Sequence, residues 1–285
     1  MLSVIVLSYN RKDPLAHTLR QLHALRDAVH LECIVVDNAS TDGTKDMLSR
    51  ECGWVRVLAL KENVGVAAFN RAADLAAGDT LLILDDDSWP DRDSLVRALH
   101  FLDEHPAHAG VAMLPKHPKT NEIEWSFLTV ARDCWPVMGC GNLVRTSAWR
   151  AVGGYEESFF LYRNDVDLAM KLLAAGHDVH ADPTWIVWHD SPHASRKSDR
   201  WLELATKNWV LLARRHAKGW RLPFASILGW LSSCRHAGLN IKRLRLATRG
   251  FLTGVGSDVA PLPPACRTDG KEFSELLRLH LGTTR

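Results

Sequence analysis

Leu81-Leu82-Ile83-Leu84-Asp85-Asp86-Asp87-Ser88-Trp89-Pro90 joins four consecutive aliphatic residues to three consecutive carboxylates. An apolar run of this length reads as a strand buried on both faces. A buried strand tolerates no row of unpaired acids, so Asp85, Asp86 and Asp87 must stand where the strand leaves the sheet. In open α/β sheets ligands collect at the carboxyl ends of strands. Three oxygen-bearing side chains at such an end can hold a hard divalent cation against a phosphate. The alternative is a solvated acidic turn that caps a helix beginning near Pro90.

On either side of this run, strand-like and helix-like segments alternate. Residues 2–8 form a β-rich apolar run, broken by Tyr9-Asn10 and Asp13-Pro14 before a helix through residue 25. A second strand, 31–36, ends at Asp37, and the cluster 38–43 makes a turn and supplies an N-cap for a helix to about residue 50. A third strand at 55–60, a helix at 64–77 closed by Gly78, and the strand 80–84 follow. Pro90 opens the next helix, with Asp91 and Asp93 in its first turn, and that helix extends to residue 104. The alternation predicts an α/β fold with a mostly parallel central sheet flanked by helices. At the end of the second strand, Asp37 can accept a hydrogen bond from a ring imide such as that of uracil or thymine, and Ser40 stands in the turn beyond it. Neither G-x-G-x-x-G nor G-x-x-x-x-G-K-[ST] occurs, so the acidic triplet with its metal is left to neutralise phosphate.

The chain has 285 residues, 46% of them hydrophobic, enough for a substantial core in one or two domains. Its apolar runs fall short of the roughly 20 residues of a membrane span, and the N-terminus enters a strand directly, so a cytoplasmic location is expected. Six cysteines include no C-x-x-C pair and read as free thiols. The net charge of +2 conceals a segregation: residues 196–249 carry thirteen Lys and Arg against two acids, leaving residues 1–195 acidic. From residue 199 the pattern is helical, at 201–212, 222–233, 239–252 and 271–281. A basic helical face points to an anionic partner such as a membrane surface, reached through residues 196–252; solvated helix faces and a packing or homodimer module are the alternatives. Nucleic acid is not expected as a partner.

Read in order, Val35-Val36-Asp37-Asn38-Ala39-Ser40-Thr41-Asp42-Gly43-Thr44, Glu62-Asn63-Val64-Gly65, Asn70, Gly78-Asp79 and Leu84-Asp85-Asp86-Asp87 resemble the family-2 inverting glycosyltransferases of GT-A fold. The opening Ser3 to Asn10 resembles that family's first strand, and the likeness continues through residues 139–145, Gly153-Gly154-Tyr155, Asn164-Asp165-Val166-Asp167-Leu168 and Trp188-His189. It covers roughly residues 1–190 and is strongest toward the rhamnosyltransferase-type branch. The resemblance implies a GT-A-type nucleotide-diphospho-sugar transferase domain at 1–195, with a nucleotide-binding half at 1–105 and an acceptor-binding half at 106–195, followed by a basic helical extension at 196–285.

The resemblance also implies roles. Asp85 and Asp87 match the family's D-x-D pair, with Asp87 bonded directly to Mn2+ or Mg2+ and His189 completing the shell. Ser8, Asn10, Asp37, Ser40, Asn63, Asn70, Asp85 and Asp86 are expected around the nucleotide. Asp165 matches the general base, and Trp135, Tyr155, Tyr162 and Asn164 are expected to meet the acceptor. The chain departs from the family pattern at Asn164 for a glutamate, Lys171 for an arginine and Phe69 for an arginine before Asn70. The expected activity is metal-dependent inverting transfer of a sugar, rhamnose among the candidates, from a UDP- or dTDP-linked donor to a hydroxyl of a glycan, lipid-linked or small-molecule acceptor at the inner face of the cell membrane. A nucleotidyltransferase would use the same carboxylates, but the loop Ser8-Tyr9-Asn10-Arg11-Lys12 lacks the glycine needed to cradle a triphosphate. A catalytically inactive sugar- or nucleotide-binding protein is the alternative from another class.

Overall fold

The computed structural model describes residues 1–126, 128–191, 198–266 and 271–281. The expected domain boundary at 195/196, with Arg196 and Lys197, lies outside the described residues. In chain order the first half runs β1 (Leu2–Ser8), α1 (Lys12–Ala24), β2 (Leu31–Asp37), α2 (Thr44–Glu51), β3 (Arg56–Ala59), α3 (Ala67–Ala73), β4 (Thr80–Asp85), β5 (Ser88–Pro90) and α4 (Arg92–Glu104). The second half adds β6 (His108–Lys116), β7 (Asn142–Arg145), α5 (Thr146–Ala151), α6 (Asn164–Ala174) and β8 (Asp178–His189), and then helices α7 (Asp199–His216), α8 (Arg221–Ala237), α9 (Ile241–Gly256) and α10 (Lys271–Leu281).

The strands form an eight-stranded sheet in the order β3-β2-β1-β4-β7-β6-β8-β5. Pairings β3-β2, β2-β1, β1-β4 and β6-β8 are parallel, while β4-β7, β7-β6 and β8-β5 are antiparallel. The aliphatic runs are explained by a core on each face. Ile5, Ile34, Leu81 and Ile83 join one cluster, and Val4, Val35, Leu82 and Leu84 join the other, as the two-residue period of a strand requires.

Two local expectations are corrected. Pro90 opens no helix; it ends the short strand β5 opposite Val187, and Asp91 caps α4 by accepting from the Ser94 amide at 3.0 Å. The helix expected over 64–77 is shorter, because Gly65 takes φ +62° and the Val66 amide donates to the Phe160 carbonyl. Among its described residues, the segment 123–130 makes one bridge, between Ile123 and Lys116.

The C-terminal helices share a core with the sheet-bearing part. Trp209, Leu211 and Leu212 of α7 and Phe273, Leu276 and Leu277 of α10 pack with Phe159, Val166 and Met170. Among the described residues, no helix is long and apolar enough to cross a membrane.

Candidate active site

Parallel register sets three strand ends level. Ser8 lies opposite Asp37, and Leu7 lies opposite Asp85, so the loops after β1, β2 and β4 converge at one edge. Polar side chains knit these loops together. The Asn10 amide donates to Ser40 Oγ at 2.9 Å, the Thr41 amide donates to Asn10 Oδ1 at 2.7 Å, and the Ser40 amide donates to Asp37 Oδ1 at 2.9 Å. Asn63 Oδ1 accepts from Asn38 and from the Gly65 amide, each at 2.9 Å, and so shapes the loop after β3. Asp37 is buried at this edge beside the turn it orders.

The acidic triplet fans outward. Asp85 keeps solvent access at the strand end, yet protein surrounds it closely enough that lost solvation raises its carboxyl to about 6, partly countered by His189. Asp86 and Asp87 are shared by Arg11, whose Nε lies 2.8 Å from Asp86 Oδ1 and whose Nη2 lies 2.5 Å from Asp87 Oδ2. Burial lifts Asp86 to about 7 against the pull of Arg11. Asp87 is also buried, but hydrogen bonding and charge from His189, with Arg11, bring its carboxyl below the ordinary value.

His189, at the end of β8, faces this triplet. Its Nε2 lies 3.3 Å from Asp87 Oδ1, and its Nδ1 lies 2.6 Å from Glu124 Oε1. Burial opposes its charge, but the Asp87 and Glu124 carboxylates hydrogen-bonded to its two ring nitrogens push its pKa up. Ligand atoms of Asp85, Cys140 and His189 lie within 4.8 Å of one another. Burial pushes the Cys140 thiol up to about 11, so it stays protonated at neutral pH.

Asp165 enters from the other side, in the first turn of α6. Burial raises its pKa, with Arg163 opposing, and its negative charge is near enough to raise that of Asp85. The preceding loop is unusual, since Phe160, Tyr162 and Arg163 all have positive φ (61°, 71° and 65°). Asn208 on α7 holds it, donating through Nδ2 to the carbonyls of Phe159 at 2.9 Å, Leu161 at 2.7 Å and Tyr162 at 2.8 Å. Tyr162 and Asn164 are half-buried beside Asp165.

Three expected contact residues serve packing instead. Trp135 is 0% exposed and Tyr155 3%, both inside the core, so neither presents a ring face to an acceptor. The Tyr155 hydroxyl is shared with Asn142 and Asn164 and so helps to orient Asn164. Asn70 spends its amide on the Tyr155 backbone, donating to its carbonyl and accepting from its N–H, each at 2.8 Å, so it ties α3 to the acceptor side rather than meeting a nucleotide.

Arg11, Glu124, Cys140, Arg163 and Asn208 were not anticipated as parts of this site. Arg11 follows the strand-end Asn10 directly, and Asn208 is a polar residue on the apolar face of a helix; these are the signals that could have found them. Asp167, matched by the resemblance but given no role there, is fully buried in an ion cluster with Arg215, His216 and Lys171.

Comparisons with known proteins bear on the family and the fold. A relative, the N-acetylglucosaminyl-diphospho-decaprenol L-rhamnosyltransferase of Mycobacterium tuberculosis, is 27% identical over 272 residues, covering 78% of this chain and 87% of that protein. TuaG of Bacillus subtilis, named for teichuronic acid biosynthesis, is 39% identical over 111 residues, which span 36% of this chain and 42% of that protein. Among solved structures, the mannosyltransferase PcManGT from Pyrobaculum calidifontis, in complex with GDP-Man and Mn2+, superposes with a TM-score of 0.64 at 21% identity, covering 99% of this chain and 79% of that one; this likeness bears on the fold. The family model for glycosyl transferase family 2 matches residues 3–167, the span that holds the converging strand ends and Asp165, and the chain belongs to that family.

Proposed function

We propose that the protein transfers a sugar with inversion from a nucleoside-diphosphate sugar, UDP- or dTDP-linked, with rhamnose as the leading candidate. The observation that carries this reading is the convergence of Asp85, Asp87 and His189, with Asp165 near enough for its charge to act on Asp85. A divalent cation fits the donor set. Two carboxylates and an imidazole stand together, and Glu124 fixes the far nitrogen of His189 at 2.6 Å, as carboxylates do behind metal-bound histidines. Asp85, Asp87 and His189 would hold Mn2+ or Mg2+, which when bound supplies positive charge to the leaving diphosphate. Asp37 would accept from the base imide, Ser8, Asn10, Ser40 and Asn63 would frame the nucleoside, and Arg11 would hold Asp86 and Asp87 in register.

Asp165 would take the proton of the attacking hydroxyl from the face opposite the diphosphate, and its raised pKa suits a base. Asn164 and Tyr162 would position the acceptor sugar. General bases contribute about 10²–10⁴ in rate. Asp165→Asn should therefore lower sugar transfer and donor hydrolysis at least 100-fold while nucleotide affinity stays within a few-fold of wild type. Equal turnover by both proteins would favour an inactive binding module.

A lipid-linked acceptor at the inner face of the cell membrane is favoured by a separate observation. Trp220 (71% exposed), Phe224, Ile227 and Leu231 form one exposed stripe on and just before α8, and Leu239 at the next turn is 99% exposed. No acidic residue occurs from residue 204 to 257. Such a surface suits an anionic bilayer. Co-sedimentation with phosphatidylglycerol vesicles, but not with phosphatidylcholine ones, abolished by Trp220→Ser with Phe224→Ser, is expected. A concentration-dependent dimer that those substitutions dissolve, without vesicle binding, would assign the stripe to self-association instead.

A further inference from the structure

His108 opens β6 and His180 lies near the start of β8, at the end of the sheet away from His189. The parallel register pairs His108 with Asp178 and Val111 with His180. From Val111 to Lys116 and one residue beyond spans about 20 Å at 3.3 Å per residue, which separates this corner from the candidate active site. Asp133 reaches the same corner from the segment between β6 and β7. That segment is bound to β8 by reciprocal Arg132 and Ala181 backbone hydrogen bonds, both 2.9 Å, and by the Trp135 amide to the Val179 carbonyl at 2.9 Å. The three side chains therefore rest on fixed backbone.

Asp133 Oδ1 lies 2.9 Å from His108 Nε2 and 2.6 Å from His180 Nδ1, and the three ligand atoms fall within 4.8 Å of one another. A tetrahedral cation with bonds of about 2.0–2.1 Å separates its donors by about 3.3 Å, so side-chain shifts of under about 1 Å would admit one. Asp178 Oδ2 lies 3.9 Å from His108 Nε2, at the edge of this group. Cys134, whose amide donates to Asp178 Oδ1 at 2.7 Å, lies alongside. The imidazoles are also held in orientation: the Phe101 ring stacks on His180 with centroids 4.2 Å apart and meets His108 edge-on at 5.0 Å.

We propose that His108, Asp133 and His180 form a binding site for a zinc-type divalent cation, with Asp178 or water completing the shell. Two imidazoles with a carboxylate select borderline metals such as Zn2+ over the oxygen-seeking Mg2+ and Ca2+. The bound ion would staple the segment from Arg132 to Trp135 onto β8. That segment leads directly to Cys140, beside His189, so the staple would stiffen one wall of the active-site cleft from behind. The proposal does not depend on the transferase reading.

The test is zinc titration of the full chain, stripped with chelator, in competition with a chromophoric chelator. Wild type, His180→Gln, Asp133→Asn and His189→Ala are compared. His180→Gln retains a donor toward Asp133, and Asp133 is half-exposed, so at least one of these variants should fold as wild type does by circular dichroism. One zinc equivalent should survive in His189→Ala and weaken at least tenfold in His180→Gln and in Asp133→Asn. Zinc should raise the melting temperature of His189→Ala but not that of the double variant carrying both His189→Ala and His180→Gln. Zinc affinity and stoichiometry unchanged by His180→Gln and Asp133→Asn, or no zinc bound by His189→Ala, would overturn the proposal and leave the cluster a hydrogen-bonded lock.

Discussion

The side-chain amide of Asn208 donates to the carbonyl of Tyr162 at 2.8 Å, three residues ahead of Asp165. A helix of the C-terminal region thus shapes the loop that presents the candidate base. Backbone in sparsely populated regions costs about 1–3 kcal/mol per residue and persists only where surrounding structure imposes it. Asn208→Ala removes the side-chain donor from the Leu161 and Tyr162 carbonyls, while Phe159 keeps the Leu161 N–H, and should cost about 1–3 kcal/mol in urea unfolding. It should also lower kcat at least tenfold while nucleotide affinity holds. Unchanged kcat would detach the loop from α7.

Asp167 anchors the same helix from the α6 side. Arg215 Nε and His216 Nε2 each lie 2.8 Å from its Oδ1, and Lys171 Nζ lies 3.4 Å from its Oδ2. Burial works against ionisation, but the His216 hydrogen bond and the nearby cations hold its carboxyl well below the ordinary range. Stability from such a group is fully present above the unfolded aspartate value of about 3.9 and is lost as pH falls through the lower folded value. Asp167→Asn takes the carboxylate away from buried Lys171, while Arg215 keeps Glu156 at 2.9 Å, and should cost about 3–5 kcal/mol. Denaturant titrations should show that deficit level from pH 8 to 5 and shrinking below about pH 4. A deficit that grows as pH falls would contradict the assignment.

Gly65 carries a geometric demand. At φ +62° an added Cβ would stand 2.1 Å from the Phe160 carbonyl oxygen, a backbone atom that cannot swing aside. The left-handed conformation alone costs a non-glycine residue about 1–2 kcal/mol. Gly65→Ala should therefore destabilise the fold by more than about 2 kcal/mol and loosen the contact between the α3 side and the Asp165 loop. A melting temperature equal to wild type would show that the loop can relax.

The sheet was legible because buried parallel strands are written in continuous aliphatic residues. Leu81 to Leu84 divide their side chains between two cores and could hardly be placed elsewhere. The strand-end acids were legible for the converse reason, since they could not stay unpaired inside: Asp85 reaches solvent, and buried Asp86 and Asp87 are paired with Arg11. The roles of Trp135, Tyr155 and Asn70 were not. An aromatic near glycines has the same letters in a core as in a binding cleft, and Asn70 finds its partner 85 residues away at Tyr155. Arg11 was hidden in a polar loop where charge usually meets water. Asn208 was hidden on an apolar helix face whose partner loop has no signature at the level of sequence.

A nucleoside diphosphate held against the Asp85, Asp87 and His189 group is the core of the proposed function. The most direct measurement is calorimetric titration of the full chain with UDP and dTDP, with and without Mn2+, on wild type and on Asp87→Ala. One nucleotide should bind wild type at least tenfold more tightly with Mn2+ than without it, and Asp87→Ala should remove this gain. Binding of equal strength with and without the metal, unaffected by Asp87→Ala, would contradict the proposed function.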